Sequence, residues 1–247
     1  MGQTNGPSPI VTNGSIICID PANSFSILQN NELKDLSKRN NNSVFLNGIT
    51  LSSSTLVLDG VDDSQKISKN SSFSSLVTFT ADIWFKFDEF SGTPPNTVCL
   101  MANTNIAGNG FAIIAAKTAV LPYRLYPRFA LHNSNNTFLN FLDLDLYNSL
   151  FEYDYTTLIG KNKWKNLVIT ANNGTYNCWV NGIKSSTTNT NATGAFQKNS
   201  TDLYYGSRPN GQQPFLGRMS QIKMYNRVLS DDEILQNFNS LRARFDI

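Results

Sequence analysis

FLGRMSQIKMYNRVLSDDEILQNFNSLRARF, running from Phe215 to Phe245, places a strand, a turn and a capped helix end to end. Leu216 to Tyr225 reads as a closing β-strand. Ser230 stands where a helix N-cap belongs, and Glu233 three residues on completes a capping box. Asp231 and Asp232 fall in the first turn and Arg242 and Arg244 in the expected last turn, the arrangement the helix dipole favours. Ile234, Leu235, Phe238, Leu241 and Phe245 recur at three- and four-residue spacing, so one stripe must be buried. Its cover is either the chain's own sheet or a neighbouring subunit.

Working outward, the rest of the chain alternates with period 2. Phe79, Ala81, Ile83, Phe85 and Phe87 share one face of a strand. Thr80, Asp82, Lys86 and Asp88 share the other, interrupted by Trp84, which predicts a half-buried antiparallel strand. Leu142, Leu144 and Leu146 alternate with Asp143 and Asp145, and Ser54 to Asp59 turns Leu56 and Leu58 inward. Phe111 to Ala116 is apolar on both faces and suits a central strand. Leu167 to Thr170, Asn172-Asn173-Gly174 and Tyr176 to Val180 form a hairpin signal, because Asn-Gly accepts positive φ at both positions. Asn181-Gly182 repeats the turn at once, which implies an antiparallel meander. Leu203 to Gly206 reads as one more strand, while Asn30–Asn42, Phe90–Asn109 and Thr187–Thr201 read as loops. Residues 1–11, with Pro7 and Pro9, read as an extended arm, since proline fixes φ and offers no donor. The expected domains are this arm, a sandwich over residues 12–229, and a helix and tail over 230–247.

The 247 residues carry a net charge of only +2, with no basic stripe of the kind nucleic-acid binders show. The longest apolar run, Phe111 to Ala116, falls far short of the ~20 residues a membrane span needs. The start, MGQTNGPSPI, has neither the basic nor the apolar region of a secretory leader. Gly6 stands where a myristoylation motif wants Ser or Thr. Cys18, Cys99 and Cys178 are odd in number and widely spaced, which predicts buried free thiols made in a reducing cytoplasm. About one residue in eight is asparagine, so the sequons at Asn13, Asn41, Asn70, Asn135, Asn173, Asn191 and Asn199 are expected by chance.

Several segments in order resemble a known family. They are Leu56 to Asp63 (LVLDGVDD), the strand reaching Trp84, Trp164 to Leu167, Tyr176 to Gly182, Phe215 to Ser220, and Tyr225 to Ile234 with its YNRVLSDDEI run. This order resembles the laminin-G-like, concanavalin A-like lectin/glucanase domain, over Thr12 to Asn239. The segment Gln236 to Phe245, and the opening PSPIVTNG with Cys18 and Asp20 downstream, resemble short virion structural proteins of marine tailed phages. The resemblance implies an all-β, concanavalin A-like jelly-roll sandwich of two antiparallel sheets with one C-terminal amphipathic helix. It fixes no ligand, because fold does not imply function.

Glycoside hydrolysis on such a scaffold needs two carboxylates across a cleft. The family's glucanases place them in a pattern like E-x-D-x-x-E. This chain has four glutamates, Glu32, Glu89, Glu152 and Glu233, and the nearest match, Glu152-Tyr153-Asp154, lacks the second glutamate. His132 is the only histidine, which excludes a histidine zinc cluster; it falls in a polar stretch, HNSNN, that reads as a loop. No nucleophile elbow, phosphate loop or dinucleotide fingerprint is present. Asp59, Asp62 and Asp63 could offer oxygens to calcium, but the preferred reading is a turn whose carboxylates accept backbone N–H groups. Tyr123, Tyr126, Tyr153, Tyr155, Tyr204 and Tyr205 are candidates for a sugar-stacking platform. The expectation is a non-enzymatic virion protein without cofactor: a capsid decoration, neck or tail-fibre component. Its expected partners are other virion proteins, further copies of itself and cell-surface glycans, with no nucleic acid and no membrane insertion. The alternatives are a soluble lectin module and, last, a glycoside hydrolase.

Overall fold

A computed structural model describes residues 9–28, 31–68, 76–88, 95–104, 110–117, 125–132, 137–140, 163–172, 174–186, 189–190 and 202–247; for 131–132, 137–140 and 189–190 it describes the backbone alone. The first strands are β1 (Ser15–Ile19), β2 (Glu32–Leu33), β3 (Ser43–Leu46), β4 (Thr50–Ser52), β5 (Thr55–Asp59) and β6 (Ser64–Ile67). The middle ones are β7 (Thr78–Phe87), β8 (Thr97–Ala102), β9 (Gly110–Lys117), β10 (Leu125–His132) and β11 (Thr137–Asn140). Then come β12 (Lys165–Asn172), β13 (Thr175–Val180), β14 (Ile183–Lys184), β15 (Asn189–Thr190), β16 (Leu203–Tyr205) and β17 (Leu216–Tyr225). Helix α1 (Asp231–Leu241) and a 3-10 turn (Arg242–Phe245) close the chain.

Two antiparallel sheets stack face to face. Sheet I runs β14-β13-β12-β7-β17-β5-β4, with β1 also on β17 and β15 on β13. Sheet II runs β11-β10-β9-β8-β16-β6-β3-β2. The apolar face of β7, Phe79 to Phe87, points between them, as the alternation requires. Phe79 stacks on Phe111 of β9 at 4.9 Å between ring centres, and Phe129 of β10 lies 5.1 Å from Tyr176 of β13. The all-β sandwich with one C-terminal helix is therefore the fold the sequence implies. The Asn-Gly turns behave as expected: Gly174 has φ +98°, and Asn181 and Gly182 have +49° and +75°. Asn173 and the Leu142–Leu146 alternation lie outside the described residues.

Five local expectations need correction here. The stretch Phe90–Asn109 contains β8, a buried strand rather than a loop throughout. Asn30–Asn42 holds the short β2, and Thr187–Thr201 holds the short β15, which pairs with β13. His132 is the last residue of β10, paired with Gly110, and not part of a loop. Strand β7 is buried on both faces, because Thr80, Asp82 and Trp84 are also covered.

The cover is α1. Ser230 Oγ accepts the Glu233 N–H and the Glu233 carboxylate accepts the Ser230 N–H, completing the capping box. Ile234 and Phe238 bury against the outer face of sheet I, where Trp84 stacks on Phe238 and, at 4.2 Å, on Phe245. The stripe thus docks on the chain's own sheet, except for Leu235, which is 45% exposed. Arg242 and Arg244 belong to the 3-10 turn after the helix, so they do not occupy its last turn.

Candidate functional site

The outer face of sheet I is where the chain gathers its polar groups. Lys223 of β17 faces Asp82 of β7 on one side and Cys18 of β1 on the other. Lys223 Nζ lies 3.0 Å from Asp82 Oδ2, and each side chain is 1% exposed. Asp82 Oδ1 accepts from Asn166 Nδ2 at 2.7 Å, and Asp82 Oδ2 from Asn237 Nδ2 at 3.4 Å. Asn237 Nδ2 also reaches Tyr225 Oη, whose hydroxyl donates to the Val11 carbonyl; Asn237 Oδ1 takes the Val11 N–H at 2.8 Å. Helix, sheet and arm therefore share one hydrogen-bond network.

β17 is bulged between Met219 and Ile222, which places both Ser220 and Gln221 outward. On one side of the bulge β17 pairs with β5, and on the other with β1. Gln221 Nε2 donates to Asp20 Oδ2 at 3.0 Å. Asp20 also accepts two bonds from Arg244 and one from the Ala22 N–H. Its two oxygens thus accept four hydrogen bonds, the full complement of a carboxylate. The remaining acceptor of Gln221, Oε1, is buried without a hydrogen-bond partner. Lys223 Nζ holds Asp82 by charge but makes no directed hydrogen bond.

Beside these groups opens a cavity of about 450 Å³. Gln221, Lys223 and Cys18 line its floor, and residues of the arm and of the Leu36–Lys38 turn form its walls. Burial pushes the Cys18 thiol up to about 12, against the pull of Lys223, so at neutral pH it is a protonated, inert group. Cys99 is likewise raised to about 12 by burial. All three cysteines are buried and free, as their spacing predicts.

The other sequence candidates fall elsewhere. Asp59, Asp62 and Asp63 do meet, with one oxygen from each within 4.8 Å of the others. Asp59 Oδ1 accepts the Val61 N–H at 2.8 Å, and Asp63 Oδ2 the Asp59 N–H at 2.9 Å, which is the turn role. Burial, then the Asp59 and Asp62 charges, raises the Asp63 carboxyl above its usual value. Of the tyrosines, Tyr126 and Tyr205 are buried and Tyr204 is half-buried, so none of these three offers an open ring. Tyr123, Tyr153 and Tyr155 lie outside the described residues, as do Glu89, Glu152, Asp154, Asp143 and Asp145. The sequon at Asn41 is sealed: that side chain is 1% exposed and donates to the Ile16 carbonyl.

Sequence reasoning missed the Lys223–Asp82 pair and Gln221. A signal existed: each charge sits alone between apolar neighbours in a long strand, a pattern that favours a buried pair as much as a solvated face. It also missed Phe25, an aromatic ring 79% exposed.

Comparison with known proteins agrees with this architecture. The binding domain of Paraclostridial Mosquitocidal Protein 1 matches 93% of the chain at 18% identity and TM-score 0.68, over 52% of its own length. The botulinum neurotoxin serotype D binding domain matches 95% of the chain at 15% identity and TM-score 0.69, again over 52% of its length. The chain thus spans about half of these toxin binding domains. Domain 4 of AbnA, a GH43 extracellular arabinanase from Geobacillus stearothermophilus, solved with arabinotriose, matches 90% of the chain and 97% of its own at 13% identity and TM-score 0.61. At these identities the likeness is one of fold. No curated protein matches the sequence. The family profile described as the concanavalin A-like lectin/glucanases superfamily matches residues 59–235, most of the chain, and the protein belongs to that laminin-G-like family.

Proposed function

We propose that this chain is a non-enzymatic, lectin-like binding module displayed on a virus particle as a capsid decoration, neck or tail-fibre component. One observation carries the non-enzymatic part. The buried carboxylates of the polar outer face, Asp20 and Asp82, are each held in place by arginine, lysine and amide donors of the chain itself, so their oxygens are spent on the fold. Binding is supported by the family and by structural neighbours that are themselves binding domains. The particle context is supported by the resemblance of both ends of the chain to virion structural proteins. Those ends meet on one face: Gln236 reaches the Pro9 carbonyl and Asn237 holds Val11. Anchoring through that face would leave the remaining loops free for display, in a homo-oligomeric array made in the host cytoplasm.

A soluble carbohydrate-binding module is the second reading, favoured by the near full-length match to the arabinanase domain. Mass spectrometry and cryo-electron microscopy of purified particles separate the two. Stoichiometric, symmetric density of this chain supports the virion role; its absence from intact particles refutes that role. Glycan-array binding by the purified chain tests the lectin-like part.

A further inference from the structure

We propose that Lys223 and Asn237 join through their side chains in an intramolecular isopeptide bond, with Asp82 carrying the proton between them. This bond is independent of whether the chain binds a glycan or sits on a particle.

The outer face of sheet I brings together the three groups that amide exchange needs: an amine, an amide carbonyl and a proton carrier. Lys223 Nζ lies 3.0 Å from Asp82 Oδ2, and Asn237 Nδ2 lies 3.4 Å from the same oxygen. The attacking and the leaving nitrogen therefore meet at one atom, where a carboxylate can take a proton from the first and return it to the second. Asn166 Nδ2 bonds the other oxygen, Oδ1, at 2.7 Å and fixes the orientation of the carboxylate. The Asn237 carbonyl is polarised as well. Its Oδ1 accepts the Val11 N–H at 2.8 Å, a contact that sets the amide the right way round and would steady an oxyanion.

Burial supplies the rest. Lys223, Asp82, Asn166 and Asn237 are each 1% exposed. Water is kept from competing as a nucleophile, and the amine lacks the hydration that normally keeps it unreactive. Lys223 Nζ makes no directed hydrogen bond, a costly state for a buried donor. The bond removes that cost. As an amide nitrogen the same atom keeps one hydrogen, and Asp82 Oδ2 stands beside it as acceptor.

The step balances without a co-reactant. The Lys223 ammonium gives one proton to Asp82, and the freed lone pair attacks Asn237 Cγ. The Nζ–Cγ bond forms and the Cγ–Nδ2 bond breaks. The departing nitrogen takes the proton from Asp82 and a second from Nζ, and leaves as ammonium. The event happens once per chain, inside the fold, and acts on no outside substrate. It ties α1 to β17, and because the Asn237 carbonyl survives, the arm keeps its hold on it.

The test follows freshly purified full chain, which still carries the ion pair, by intact-mass spectrometry over time and by tandem mass spectrometry after trypsin. The mass should fall by one ammonia, about 17 Da. The peptides Met219–Arg227 and Val228–Arg242 should then appear joined through Lys223 and Asn237. The reacted chain should melt above the unreacted one. Asp82→Asn is nearly isosteric but offers no carboxylate to carry the proton, and Lys223→Met removes the nucleophile, so both should keep their full mass. The wild type decides by itself should either variant fail to fold. Wild type that is folded by circular dichroism and keeps its full mass on prolonged incubation overturns the proposal. So does a crosslink to Asn166, or an ammonia loss that maps to an Asn-Gly step, which is ring closure at the backbone. Folded Asp82→Asn that crosslinks as fast as the wild type overturns the role given to Asp82.

Discussion

Replacing Lys223 by methionine isolates the strongest electrostatic commitment in the molecule. Lys223 Nζ and Asp82 Oδ2 are 3.0 Å apart with 1% exposure on each side. Methionine fills nearly the same volume, so packing changes little and the lost charge dominates. Asp82 would keep its two amide donors, Asn166 and Asn237, but no cation. Removing one partner of a buried pair costs about 3–5 kcal/mol, because the other charge stays desolvated. For a chain of this length that lowers the melting temperature by roughly 6–20 °C. Urea unfolding, followed by the fluorescence of the buried Trp84 and Trp179, measures it directly. The double variant Lys223→Met/Asp82→Asn removes the stranded charge and should recover most of the loss, giving a large coupling energy in the double-mutant cycle. A single variant that loses under about 1 kcal/mol, with no recovery in the double, would show that the pair is hydrated and refute the reasoning.

Phe238→Ala removes the ring stacked on Trp84 and should cost about 3–5 kcal/mol in thermal or urea unfolding, in the range for buried phenylalanines. Gly217→Ala should not yield a folded protein: its φ is +145°, and a Cβ there would lie 2.2 Å from the Lys86 carbonyl oxygen; expression and circular dichroism check this. Glu233, bonded first by Arg227 and also by the Ser230 amide, has its carboxyl lowered from 4.5 to about 2. A depressed carboxylate stabilises the fold above its unfolded value, so about 1 kcal/mol, after discounting for solvent screening, should fade between roughly pH 5 and pH 2 and be absent in Glu233→Gln. Asp62→Asn removes a like charge beside the buried Asp63 carboxyl and should raise the melting midpoint slightly at pH 7, an advantage that shrinks in acid. If calcium instead stabilises the wild type and not this variant, the aspartates form a cation site and not only a turn.

The fold was legible wherever one face was wet or a turn had a chemical signature. The two Asn-Gly turns fixed the β12-β13-β14 meander, and the Ser230–Glu233 pair fixed the helix start to the residue. Strand β8 was not legible, because Val98 to Ala102 is a short apolar run buried on both faces, with no alternation to detect. Strand β10 was hidden by Pro127, its third residue, since a proline argues against a central strand. The proline keeps its register with Ala115 of β9, while β11 begins pairing only at Arg128. Leu235 fits the helical stripe by spacing yet faces solvent, since the docked surface is narrower than the apolar one.

The site was less legible than the fold for a reason internal to β17. Alternation assigns Met219, Ile222 and Met224 to the core only if the parity changes between the first two. The bulge supplies that change and turns Ser220 and Gln221 to the same outer face. It falls where β17 exchanges one neighbour, β5, for another, β1. At this junction Arg244 from the end of the chain can reach both Ser220 and Asp20. The polar floor is therefore a product of three distant segments: the first strand with Asp20 at its end, the bulged strand and the C-terminal turn. No one of them carries it, which is why a linear reading saw scattered polar residues where the folded chain has one hydrogen-bonded cluster, in which Arg244 holds Asp20 and Asp20 in turn holds Gln221.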